Sequence, residues 1–102
     1  MQPEKTILHD AFILAKDAYN AASHAEAKDV LHNKHPELEW DALVGYYERA
    51  CSLTEAAYDY GDKCRLGWMT DDDAIDNMFR KYPGFDMTTY KANLSYGYFV
   101  SR

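Results

Sequence analysis

Proline and glycine are scarce in this chain, with three and five residues respectively among 102. So few breakers leave room for long helices, and no stretch alternates apolar and polar residues long enough to read as a strand. Cysteine is scarcer still. Cys51 and Cys64 are too few for a disulfide framework, and in a reducing compartment both are expected as thiols. No apolar run approaches the roughly 20 residues that span a bilayer. The opening, MQPEKTILHD, has one lysine and no apolar run behind it, so no secretory signal is expected and the expected location is cytoplasmic. A glycine-rich phosphate loop, a dinucleotide fingerprint, a G-x-S-x-G elbow and a C-x-x-C knuckle are also missing. These gaps argue against nucleotide binding, serine hydrolase chemistry and knuckle-type zinc, and no enzymatic activity or cofactor is expected.

What is present points to helices. Hydrophobic residues make up 47% and charged residues 27%, the balance of one globular domain, expected to span residues 1–102. Ile7, Leu8, Ala11, Phe12, Ala15, Ala18, Tyr19 and Ala22 follow the three- and four-residue steps of one helix face. Pro3 and Glu4 suit the first turn of that helix.

A second regularity sets the next boundary. Sliding the sequence by 47 residues aligns SHAEAKDVLHNKHPELEW (23–40) with TDDDAIDNMFRKYPGFDM (70–87). Ala27, Asp29, Lys34 and Pro36 meet identical residues at 74, 76, 81 and 83. Ser23 and Thr70 each have an acid three positions later, the pattern of a capping box, so both are expected to begin helices. Each short helix runs into a proline, which disfavours helical geometry at the preceding His35 or Tyr82. Glu39 and Asp86 then fall where the next helix is capped. Leu38 with Leu43, and Phe85 with Tyr90, have the spacing of a hydrophobic staple.

The helix after the first joint is expected over roughly 40–66, on a stripe of Trp40, Leu43, Val44, Tyr47, Cys51, Thr54 and Tyr58, with a weak point at Gly61. Gly67 suits a left-handed stop, and Trp68 is placed to fold back on the last turn. A short helix from Thr70 and a last one from about Met87 to Tyr98 complete the chain. The predicted fold is therefore all-α: a small bundle of about five helices, with a leading helix and two repeated helix-turn-helix hairpins, 23–66 and 70–99.

The candidate chemistry is thin. His24, His32, His35, Cys51 and Cys64 are possible zinc ligands, yet Cys51 and Cys64 lie about 20 Å apart if their helix is continuous, and no metal is expected. Asp71, Asp72 and Asp73 lack the spacing of a calcium loop and fit a helix start, where acids oppose the positive end of the dipole. Cys64 sits between Lys63 and Arg65, cations that lower a thiol pKa.

Charge is the more informative feature. Residues 37–76 hold eleven acids against three bases, a segment of −8 within a chain of −6. Such a field repels nucleic acid and steers a basic protein surface into contact. Nine tyrosines exceed what one small core absorbs, and Tyr46, Tyr60, Tyr96 and Tyr98 are expected at the surface. From Asn77 onward the balance reverses, with Arg80, Lys81, Lys91 and Arg102 against Asp86 alone.

The expected function is thus a non-enzymatic, acidic protein-binding module, a regulator or inhibitor that docks on a basic surface such as that of a nucleic-acid-binding machine, as phage or mobile-element proteins do. Its expected contacts are Glu37, Glu39, Asp41 and Tyr46 around the first joint, and Asp59, Tyr60, Asp62, Asp71, Asp72 and Asp73 around the second helix pair. The alternatives are a DNA-binding regulator using the last hairpin, with Arg80, Lys81 and Lys91 on the phosphates, and a structural subunit of a homo-oligomer. No membrane partner is expected.

Overall fold

A computed structural model describes residues 3–102. The described residues are all-α, with five helices among them: α1 (Pro3–Asp17), α2 (Ala21–Lys34), α3 (Trp40–Arg65), α4 (Asp71–Lys81) and α5 (Met87–Ser101). None of them is long and apolar enough to cross a membrane. The chain divides into two compact units, Met1–Cys51 and Ser52–Arg102, and α3 contributes its first half to one and its second half to the other.

In the first unit α1 buries Ile7, Leu8, Ala11, Phe12 and Ala15, the face expected from their spacing. The helix stops at Asp17, earlier than the periodicity of Ala18, Tyr19 and Ala22 implies, and Tyr19 is 84% exposed. The reason is local. Asn20 takes an extended backbone and its side chain accepts from the Ser23 N–H at 2.8 Å, while the Ser23 hydroxyl reaches back to the Asn20 amide. That reciprocal box starts α2 at Ala21, three residues before the start expected from Ser23, which is the third helical residue and not the cap. Asn20 is as good a cap as serine, and periodicity alone could not choose between them.

In the second unit α4 and α5 begin where expected, while α5 runs on past Tyr98 to Ser101. Thr70 caps α4, its hydroxyl accepting from the Asp73 N–H at 3.1 Å, and Asp86 caps α5 by accepting from both the Thr89 N–H and its hydroxyl. The Phe85 and Tyr90 rings meet edge to face at 5.8 Å, the expected staple. α3 ends in a Schellman arrangement: Gly67 is left-handed at φ 80°, its N–H reaches the Cys64 carbonyl, and the Trp68 N–H reaches the Lys63 carbonyl. The Trp68 backbone folds back as expected, but its ring does not pack, being 76% exposed.

The two joints have nearly the same backbone. His35 lies at φ −130°, ψ 64° and Tyr82 at φ −128°, ψ 68°, each donating its N–H to the carbonyl four residues back. Buried positions also recur at the 47-residue offset. Ala27, Leu31, Leu43, Tyr47 and Ala50 are buried in the first unit, and Ala74, Met78, Tyr90, Leu94 and Gly97 in the second.

Gly61 is no weak point, since α3 runs through it unbroken. A Cβ there would lie 2.1 Å from the Gly97 carbonyl carbon, and one on Gly97 would lie 2.1 Å from the Ala57 carbonyl oxygen. Two glycines thus let the second half of α3 and α5 touch backbone to backbone. The buried seam of this half is Leu53, Ala57, Tyr60 and Gly61, not Thr54 and Tyr58 as the large residues imply. Small residues set the contact, and a stripe drawn through bulky ones rotates the helix wrongly.

Candidate partner-binding surfaces

In the first unit the acids of the joint are at the surface. Glu37, Glu39 and Asp41 are exposed, and Tyr46 is half-buried on α3. Glu37 is not isolated, because its carboxylate lies 3.7 Å from His35 Nδ1, while His35 Nε2 lies 2.7 Å from the Asp10 carboxylate of α1. The imidazole is therefore a clasp between α1 and the joint. Arg49 reaches Glu4 at 3.1 Å, a second link from α3 to α1.

The other histidines also have structural partners. His24 Nδ1 lies 2.7 Å from the Tyr47 hydroxyl and 4.0 Å from Cys51 Sγ. His32 meets the Trp40 ring edge to face at 5.8 Å. Among the described residues no group of three or more His, Cys, Asp or Glu side chains converges to hold a metal. The imidazole nitrogen near the sulfur is engaged at much shorter range by the tyrosine. Burial first, and then Cys51, pushes the Tyr47 hydroxyl above its ordinary pKa, keeping it a neutral hydrogen-bonding group.

The second unit holds the denser arrangement. Asp71, Asp72 and Asp73 are exposed on the first turn of α4. Asp59 and Asp62 are on the last turns of α3, but each has its own cation: Lys63 at 2.9 Å and Arg65 at 2.7 Å. Their fields are thereby weakened, and the uncompensated charge lies with Asp71–Asp73. Tyr98 donates to Asp71 at 2.5 Å, and this hydrogen bond is the largest reason its hydroxyl pKa is raised.

Tyr60 does not reach the surface. It is 5% exposed and its hydroxyl donates to Asn77 of α4. The close α3–α5 crossing at Gly61 and Gly97 turns this side of α3 inward, which removes Tyr60 from any binding face. Cys64 also departs from expectation. Its Sγ faces the Thr70 carbonyl at 3.7 Å, and burial pushes the thiol pKa up, with Asp71 and Asp73 adding to the rise against an opposing hydrogen bond from Tyr98. Lys63 and Arg65, the cations that were to activate it, turn to Asp59 and Asp62.

The residues that the sequence reading overlooked are apolar. Tyr58, Leu66 and Trp68 are 55%, 47% and 76% exposed near the α3–α4 turn. Phe79 and Met87 are 54% and 50% exposed along the α4–α5 seam. There a cleft of about 390 Å³ is lined by Asp72, Ile75, Asp76, Phe79, Met87 and Lys91. A neighbouring cleft of about 290 Å³ shares Asp72, Ile75 and Lys91 and continues to Asp71 and Tyr98. Only the fold shows that these side chains are left uncovered, since Tyr58, Phe79 and Met87 have a helical spacing compatible with burial and Trp68 was expected to pack on the last turn of α3.

No family model, curated protein or solved structure matches this chain. Its function has to be argued from its own surfaces.

Proposed function

We propose that this protein is a non-catalytic binding module, a regulator or inhibitor, that engages a basic surface of a partner protein through its second unit. The observation that carries this reading is the exposed Trp68 ring in the short turn between the last turn of α3 and the acidic first turn of α4. An aromatic ring left 76% in water beside Leu66 and followed by three acids combines the two ingredients of an interface: an apolar anchor and a charged rim. The chain as a whole carries −6, which favours encounter with a basic partner and opposes contact with phosphates. The last helix, on which a DNA-binding role would rest, contains Lys91 as its one cation, with Arg102 just beyond it.

The test is affinity capture from the native host with wild-type protein, Trp68→Ala and the triple reversal Asp71→Lys, Asp72→Lys, Asp73→Lys, at low and high salt. The expected result is a basic protein retained by the wild type at low salt, lost at high salt, and lost by both variants. A partner that is retained equally by all three proteins, or no basic partner at all, overturns the reading.

A further inference from the structure

We infer that the α4–α5 seam is a docking groove for a basic amphipathic helix of the partner. This deepens the function proposed above and rests on it. The two helices run antiparallel, since the Tyr98 hydroxyl near the end of α5 meets Asp71 at the start of α4. Each turns one stripe inward: Ala74 and Met78 on α4, and Tyr90, Asn93, Leu94 and Gly97 on α5. A second stripe on each lines the groove. Ile75 and Phe79 are four apart on α4, and Met87 and Lys91 are four apart on α5.

Phe79, Ile75 and Met87 form an apolar patch that remains half or more in water at Phe79 and Met87. Two adjacent antiparallel helices with such a patch offer a slot for a third helix, whose residues at i, i+3 or i+4, and i+7 would cover it. The charges around the slot choose the occupant. Asp71, Asp72 and Asp76 face it against Lys91. Asp76 is shared with Arg80 at 3.1 Å, so Asp71 and Asp72 carry most of the negative rim. A second copy of this chain would bring an equally acidic rim against the first, and like charges across an interface disfavour it. A helix with lysine or arginine flanking its apolar face meets both demands.

The probe is a labelled model peptide of about 18 residues, long enough for five helical turns, with leucine on one face and lysine on the rest. Its binding to the full chain is followed by fluorescence anisotropy. Controls are a peptide of the same composition with the leucines scattered, and one with glutamate replacing lysine. The expected result is binding of the faced, basic peptide at low salt, with both controls at least about tenfold weaker. Met87→Gln and Phe79→Gln should each weaken it by about tenfold. Lys91→Glu should tighten it several-fold, an effect that a damaged fold does not produce. Phe79 also meets the Tyr90 ring at 6.2 Å, so Met87→Gln decides the matter if Phe79→Gln melts early.

Equal binding of the glutamate peptide, or no binding of the basic one at low salt, overturns the groove. So does wild-type dimerisation that Met87→Gln abolishes, which would assign the seam to a second copy. Peptide binding that is lost on reversing Asp71–Asp73 but indifferent to Phe79, Met87 and Lys91 overturns the groove while leaving the broader function standing. The capture experiment tests that function separately.

Discussion

Three glycines of α3 and α5 have opposite roles that only their surroundings reveal. Gly45 has open space where a Cβ would go, whereas a Cβ on Gly61 or Gly97 would run into the backbone of the facing helix at 2.1 Å. Helix propensity favours alanine over glycine by roughly 0.5–1 kcal/mol, and overpacking costs about 1–3 kcal/mol or more when backbone must move. Gly45→Ala is therefore expected to raise the urea midpoint and Gly61→Ala to lower it sharply, with Gly97→Ala like the latter. Tyr60 allows a second test at this scale. Its hydroxyl pKa is raised above 10.0, by burial first and then by Tyr82 and Asp59. The folded state thus holds the phenolic proton more tightly than the unfolded chain does. Its contribution to stability is complete below pH 10 and is lost as pH rises beyond that. Thermal melts from pH 8 to 11 should show a fall above pH 10 that is shallower in Tyr60→Phe.

Helix boundaries in this protein are set by caps more than by apolar stripes. α4 and α5 begin where Thr70 and Asp86 announce them, because each side chain satisfies an N–H of the first turn. α2 begins where Asn20 and Ser23 satisfy each other, against the continuing periodicity of α1. Asp86→Ala and Asn20→Ala should each cost about 1 kcal/mol in chemical denaturation. Ser23→Ala should cost less, since it removes only the returning half of the box and leaves the Asn20 cap in place. Glu39 and Asp86, matched in sequence, differ in this respect. Asp86 reaches both the amide and the hydroxyl of Thr89, a bond pair that fixes the start of α5 more firmly than position in a repeat does.

For the molecule as a whole, charge decides what it can meet. With −6 overall, gel shifts of duplex DNA are expected to be absent even at low salt, and a salt-sensitive shift abolished by Lys91→Gln would restore the DNA-binding alternative. The fold class, the five helices, the proline joints and the acidic character were all readable from composition, spacing and turn chemistry, because these are local properties. Which face of α3 turns inward was not. Gly61 reads as a break until Gly97 is placed against it, Tyr60 reads as surface until Asn77 lies over it, and Cys64 reads as activated until its neighbouring cations turn away. The same holds for the candidate site. The acids of α4 were legible as a run, but exposure of Trp68, Phe79 and Met87 was not, since an apolar residue in a helix or in a helix-ending turn looks identical whether covered or bare. Sequence alone determined the fold class, the order of the helices, most of their starts and the charge they carry. Tertiary structure decided which side chains are left for a partner, because burial depends on how closely two backbones approach, and that distance is set by residues far apart in the chain.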